Sequence, residues 1–187
     1  LAESEAELTF ADANTELVDQ LNHSQQYKVH VVGSKHQIDV VSRIVAVNAN
    51  SGEVIDRIRQ ADLITTAVGP MILDKIAATL ASGLQLRFDD GNLTPLNIIA
   101  CENMVRGTSH LKSAVLARLP EAYHERLEQC VGFVDSAVDR IVPPAAAANT
   151  ELNSRSWPKA RGPTCCRPFA LVSTGGAGSA ITVTRWP

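Results

Sequence analysis

The sequence predicts an α/β fold built on a doubly wound, mainly parallel sheet, and three observations carry that prediction. Strand-like runs alternate with amphipathic helical segments from Leu1 to about Pro144, as parallel strands joined by crossover helices require. Residues 63–68 and 96–101 are apolar or β-branched almost without interruption, the pattern of strands covered on both faces. A further run, residues 8–11, stops at the acidic Asp12 and is followed at once by a helix-start signal.

Taken in order, residues 8–12 form the first strand, and Asn14 and Thr15 open a helix whose apolar positions are Leu17, Val18 and Leu21. Residues 27–32 and 37–41 read as two strands turning at Gly33 and Ser34, a β-hairpin inserted into the simple alternation. Residues 44–47 are another β-rich run. Ser51, Gly52 and Glu53 lead into a short helix with Val54, Ile55 and Ile58 inward and Glu53, Asp56, Arg57 and Arg59 toward water. The strand at 63–68 ends sharply at Gly69 and Pro70, and Pro70 suits the first turn of a helix over 71–84, where its missing N–H is not needed. A loop at 89–95 precedes the strand at 96–101, which runs into a helix over 102–119. Pro120 starts a second helix through Cys130, and residues 131–144 return as extended chain ahead of an alanine-rich run at 145–148.

Composition narrows the function classes. A chain of 187 residues, 45% hydrophobic and 20% charged, is globular and long enough to bury a core. No run approaches the roughly 20 apolar residues of a membrane span, and no basic start followed by an apolar segment marks a signal peptide, so a cytoplasmic location without a membrane partner is expected. Cys101, Cys130, Cys165 and Cys166 lack zinc-ligand spacing, and His23, His30, His36, His110 and His124 form no tight ligand pattern, so no metal site is expected. No G-x-S-x-G motif points to a serine hydrolase. The net charge of −3 hides a break: all 20 acidic residues lie at or before Glu151, and only basic charges follow. Those basic residues form no dense cluster, so no nucleic-acid partner is expected, and residues 149–187 read as an atypical tail, disordered or aberrant. Within that tail, STGGAGSA at 173–180 has Ile181 where a dinucleotide fingerprint needs a third Gly or Ala, and it reads as flexible chain.

Four stretches can carry chemistry. A carboxylate closing the second strand of a nucleotide-binding βαβ unit receives the adenosine ribose hydroxyls and repels a 2′-phosphate. Asp12 is placed for this, with no Arg or Lys in ADANTE, which favours NAD over NADP; an ordinary acidic helix cap is the plain alternative. Thr66, Ala67, Val68 and Gly69 end a buried strand in small residues, where a ligand can approach the backbone, although a simple strand-to-helix turn has the same pattern. Glu102, Asn103 and Arg106 follow the next buried strand, where open α/β sheets place their ligands; helix capping and a solvated face are the alternatives. Asp135 and Asp139 share one face of an extended segment and could orient a polyol, unless Asp139 pairs with Arg140.

FADAN, YKVHVVG, DLITTAVGP, PLNIIACENMVRGTSHLK and VGFVDSAVDRIVPP, in that order and spacing, resemble the polyol-specific long-chain dehydrogenase family in its mannitol-1-phosphate 5-dehydrogenase branch, from residue 1 to about 148. The resemblance implies a Rossmann-type domain at 1–148 that lacks the family's first strand and its glycine-rich loop, G-A-G-N-I-G-R-G, together with the family's helical C-terminal domain. It implies NAD-dependent, reversible oxidation of D-mannitol 1-phosphate to D-fructose 6-phosphate in mannitol metabolism. Matched by motif, Asp12, Thr66, Ala67, Val68 and Gly69 look like cofactor-binding residues, and Asn103 and Asp139 look like contributors to substrate positioning. The family's catalytic lysine lies in K-x-x-x-x-N-x-x-H, whereas the residues five after the lysines here are Gly33, Val40, Leu80, Ala117 and Thr164, so no catalytic residue is assigned. The expectation is an incomplete N-terminal piece of such an enzyme, inactive by itself. A non-catalytic nucleotide-binding or interaction module, using the sheet edge left by the absent first strand, is the alternative.

Overall fold

A computed structural model describes residues 6–31, 37–136 and 180–185. The first strand, β1 (Glu7–Asp12), leads through the N-cap Asn14 into α1 (Thr15–Ser24). Asn14 does what its position predicts: its side-chain oxygen accepts from the Leu17 amide at 3.2 Å, satisfying one of the free donors of the first turn. The hairpin follows as β2 (Gln26–Val31) and β3 (Gln37–Ser42), antiparallel from Gln26 opposite Ser42 to Val31 opposite Gln37. Its expected turn at Gly33 and Ser34 lies outside the described residues. Then come β4 (Ile44–Asn48), α2 (Gly52–Arg59) and β5 (Leu63–Ala67).

Pro70 stands at the first position of a 3-10 turn, Pro70–Ile72, that continues into α3 (Leu73–Asp89). This helix runs past residue 84 because its last turn carries buried side chains, Arg87 and Phe88, into the core. After β6 (Leu96–Ala100), residues 102–106 are not helical; α4 (Gly107–Leu116) begins only after Arg106, whose φ is 55°. The expected helix over 102–119 is thereby shortened at its start. A 3-10 turn at Glu121–Tyr123, α5 (His124–Cys130) and β7 (Val131–Phe133) complete this part of the chain.

The main sheet has the order β4-β1-β8-β5-β6-β7, where β8 is Ala180–Arg185. Beside it, β4 pairs parallel with β1, and β5, β6 and β7 pair parallel with one another. Only β8 runs the other way, antiparallel to β1 and to β5. A doubly wound dinucleotide-binding sheet has the order 3-2-1-4-5-6, and β8 stands where its first strand would be. The gap expected in the centre of the sheet is therefore filled, and filled from within residues 149–187, which composition assigns to a tail. The physical reason lies in the run Ile181, Thr182, Val183 and Thr184: all are buried, with Ile181 and Val183 in the larger core, and the strand satisfies the facing backbone groups of β1 and β5.

Two cores result. The larger lies around α2, α3, α4 and α5 and includes Val54, Ile58, Leu73, Leu80, Leu84, Leu111 and Leu127. The smaller joins α1 and the hairpin through Leu8, Leu17, Val18, Leu21, Tyr27, Val41, Ile44 and Ala46. Leu8 lies in the smaller core and Ala11 in the larger, as the alternation of a strand covered on both faces requires. Close approach of α2 and α3 depends on Gly83, since a Cβ there would lie 2.7 Å from Cβ of the fully buried Ile58. Gly83→Ala gains about 1 kcal/mol of helix propensity but costs about 2–3 kcal/mol in overpacking. Urea denaturation is expected to show a net loss of stability, and a variant more stable than the parent would refute that packing account.

Candidate functional site at the carboxyl edge of the sheet

All five mutually parallel strands end on the same side, so Asp12, Asn48, Thr66 and Ala67, and the residues just after β6, gather along one edge. Ligands of open α/β sheets bind in that place. Asp12 ends β1 and is 5% exposed, and its Oδ1 accepts from the Asn14 amide at 2.7 Å. Burial pushes its carboxyl above the usual range, and the backbone amides of Asn14 and Ala13 act against that rise. A carboxyl raised in this way is favoured by its neutral form: the associated stability is full below the unfolded-state value and is lost as pH rises through the folded one. Asp12→Asn keeps an acceptor for Asn14 and removes the buried charge. The variant is therefore expected to melt higher than the parent at pH 7, with the difference vanishing below pH 3; an equal or lower melting temperature at pH 7 contradicts this.

Asn48 is in register with Asp12 on the neighbouring strand. Its amide nitrogen donates to Thr15 Oγ1 at 3.1 Å, and its oxygen accepts from the Asn50 amide at 2.9 Å, so it ties the start of α1 to the end of β4. Sequence reasoning passed over Asn48. The signal was a polar residue closing the apolar run IVAV, the same signal that singled out Asp12.

Across β8, the end of β5 is organised by one carboxylate. Glu102 is 5% exposed; its Oε1 accepts from the Val68 amide at 2.8 Å and the Thr66 hydroxyl at 3.2 Å, and its Oε2 accepts from the Gly69 amide at 2.9 Å. Glu102 thus secures strand-end amides and does not cap α4, which explains why that helix starts late. Thr66 and Val68 are buried, whereas Gly69 has a φ of +83°, a conformation that disfavours any side chain. The neighbouring Cys101 thiol is pushed up by burial and, secondarily, by the Glu102 charge, so it is a poor nucleophile.

The structure thus brings Thr66, Val68 and Gly69 together with Glu102, and it leaves Asp12 on the far side of β8, two strand spacings or about 10 Å away. Asn103 is exposed at the same edge, and Arg106 is exposed ahead of α4. Asp135 is engaged by Ser109, whose amide donates to it at 2.9 Å and whose hydroxyl also donates; those bonds hold its carboxyl below the usual range. Asp139 lies outside the described residues. Among the described residues no three His, Cys, Asp or Glu side chains gather as metal ligands, and no helix is long and apolar enough to cross a membrane.

The chain matches a family model and solved structures of known proteins. The family model described as the mannitol dehydrogenase Rossmann domain matches residues 1–158. Among solved structures, the chain is similar to Pseudomonas fluorescens mannitol 2-dehydrogenase in a ternary complex with NAD and D-mannitol. The TM-score is 0.61 at 15% identity, covering 72% of this chain and 35% of that one. At that identity the likeness speaks to the fold, and the chain spans about a third of the solved relative.

Proposed function

Because the chain belongs to the mannitol dehydrogenase Rossmann-domain family, we propose that it is the nucleotide-binding part of an NAD-dependent polyol dehydrogenase, and that its polyol is D-mannitol 1-phosphate, oxidised reversibly to D-fructose 6-phosphate. Asp12 carries the proposal. Its carboxylate closes β1 at the ligand edge of the sheet, where it can accept from both ribose hydroxyls of the adenosine half and repel the 2′-phosphate of NADP. The solved relative that holds NAD and D-mannitol supports the cofactor and the polyol class; the motif resemblance supports the phosphorylated substrate.

The residues present fit part of this cofactor. Asp12 suits the ribose, and the Thr66–Gly69 turn, with no atom within 4 Å of a Cβ built on Gly69, leaves room for the nicotinamide end near the backbone. The pyrophosphate is different. Its usual cradle is a glycine turn leading from the central strand into a helix N-terminus, whereas β8 runs antiparallel, starting at the crevice with Ala180 and running away from it, so its end does not lead into a helix there. NAD when bound supplies the hydride acceptor. Asn103, exposed at the same edge, would hold a hydroxyl of the polyol, and Asp139, the other substrate residue implied by the family, would assist it. No general base is assigned, and the 187-residue chain alone is expected to show negligible turnover.

Titration calorimetry with NAD and NADP tests the reading. The chain is expected to prefer NAD, and Asp12→Asn is expected to weaken NAD about tenfold through loss of charge-assisted hydrogen bonds while leaving NADP unchanged or improved. Equal binding of the two cofactors by the parent chain, or no effect of Asp12→Asn, would remove the basis for the proposal. For the substrate, D-mannitol and D-mannitol 1-phosphate are compared on the NAD-saturated chain, and preference for the unphosphorylated polyol overturns the phosphate assignment.

A further inference from the structure

We propose that the slot between β1 and β5 is a strand-binding site in its own right, which takes an extended, β-branched peptide segment and can take it from a separate polypeptide. Residues 137–179 separate its present occupant, β8, from the rest of the described chain. What holds it is recognition along both edges and both faces. The ladder with β1 runs from Glu7 opposite Arg185 to Ala11 opposite Ile181, and the ladder with β5 from Leu63 opposite Thr184 to Ala67 opposite Ala180. The Asp62 amide also donates to the Thr184 carbonyl at 2.9 Å. Main-chain pairing of this kind supplies affinity, and the alternate side-chain pockets supply selectivity.

Those pockets are specific. Val183 lies between Thr9 and Ile64 and, with Ile181, enters the larger core, so both positions demand apolar side chains. Thr184 sits between Leu8 and Leu63 with its hydroxyl buried and without a hydrogen-bond partner among the described residues. That position is built for an aliphatic residue and tolerates threonine. Arg185, at the open end, faces Glu7 and donates from Nη1 to Gln60 Oε1 at 2.8 Å, so the slot favours a basic residue there. The partner chemistry is thus an extended segment with apolar residues at the positions of 181 and 183, β-branched residues at 182 and 184, and a cation at 185.

The test uses the full chain with a protease site placed between residues 155 and 160, folded first and cut afterwards. The C-terminal piece is expected to co-elute with the rest on a sizing column and to be displaced by an excess of a synthetic peptide of residues 179–186, SAITVTRW. A Thr184→Val peptide should displace it at about fivefold lower concentration, since no hydroxyl is left unsatisfied. A Val183→Asp peptide should need at least a hundredfold more, since it would bury a charge. The proposal fails if the cut piece separates while the remainder keeps its melting temperature, if excess peptide does not displace it, or if the three peptides act alike.

Discussion

Glu102→Ala is expected to lower the stability of the chain by about 3–5 kcal/mol, because one side chain satisfies three donors that have no other recorded acceptor among the described residues. The Val68 and Gly69 amides lie beyond the last residue of β5, so neither belongs to a strand ladder, and the Thr66 hydroxyl points to the same carboxylate. Each left unsatisfied in a buried place costs on the order of 1–3 kcal/mol, reduced where water can enter near Gly69. Glu102→Gln keeps one acceptor oxygen but turns an amino group toward an N–H, and should cost about half as much. Urea unfolding gives the energies, and hydrogen exchange at Val68 and Gly69 locates them. A loss below about 1 kcal/mol, with exchange at those amides unchanged, would show that Glu102 does not organise this edge. The functional counterpart is loss of NAD affinity in the alanine variant, because the edge proposed to meet the nicotinamide half is the edge that loosens.

Arg87→Ala should cost a similar amount, about 4 kcal/mol, by a different route. Arg87 is 0% exposed, and its guanidinium ties the end of α3 to the chain just after α2 and to the loop before β6. Nη1 donates to the carbonyls of Arg59 at 3.0 Å and Ala61 at 2.8 Å, and Nη2 donates to the Thr94 carbonyl at 2.8 Å and hydroxyl at 2.7 Å. Burial lowers its pKa, with nearby Cys130 and Asp62 opposing the shift, and an arginine still carries its charge after such a change. Alanine leaves the Ala61 and Thr94 carbonyls without the donors they have, whereas the Arg59 carbonyl keeps Asn92 Nδ2 at 3.2 Å, and it leaves a cavity behind them. Arg87→Lys should recover little, because one ammonium on a flexible stem cannot span both carbonyl groups as the planar fork does. If both variants unfold within about 1 kcal/mol of the parent, the fork is dispensable and the account is wrong.

Most strands and helices were legible because each is marked by a local signal. Alternating or continuous apolar runs mark β1 and β4 to β6, and Asn14 and Pro70 mark helix starts by chemistry that involves only their own neighbours. Asp12 was legible for the same reason, since a carboxylate that closes an apolar strand needs no knowledge of the rest of the molecule. Glu102 was singled out, but its bonds to the end of β5 were not foreseen. Its partners lie more than thirty residues earlier, and only pairing of β5 with β6 brings the two strand ends together. The late start of α4 follows from that capture. Arg87 drew no notice in the sequence, because nothing local indicates that the helix continues past residue 84 and turns it inward.

The strand β8 separates the two kinds of information most clearly. Its β-branched run, ITVT, is a local strand signal that the glycine-rich stretch before it and the break in charge obscured. Even read correctly, that signal names a strand and no partner. The sequence by itself determined the alternation of elements, the acidic end of β1 and the small-residue end of β5, because those depend on side-chain periodicity and on residues a few positions apart. Only the tertiary structure decided that Ala180–Arg185 stands in the centre of the sheet and runs against its neighbours. Those two facts depend on an open pair of backbone edges, β1 and β5, more than a hundred residues away, whose unpaired amides and carbonyls a strand of either direction can satisfy.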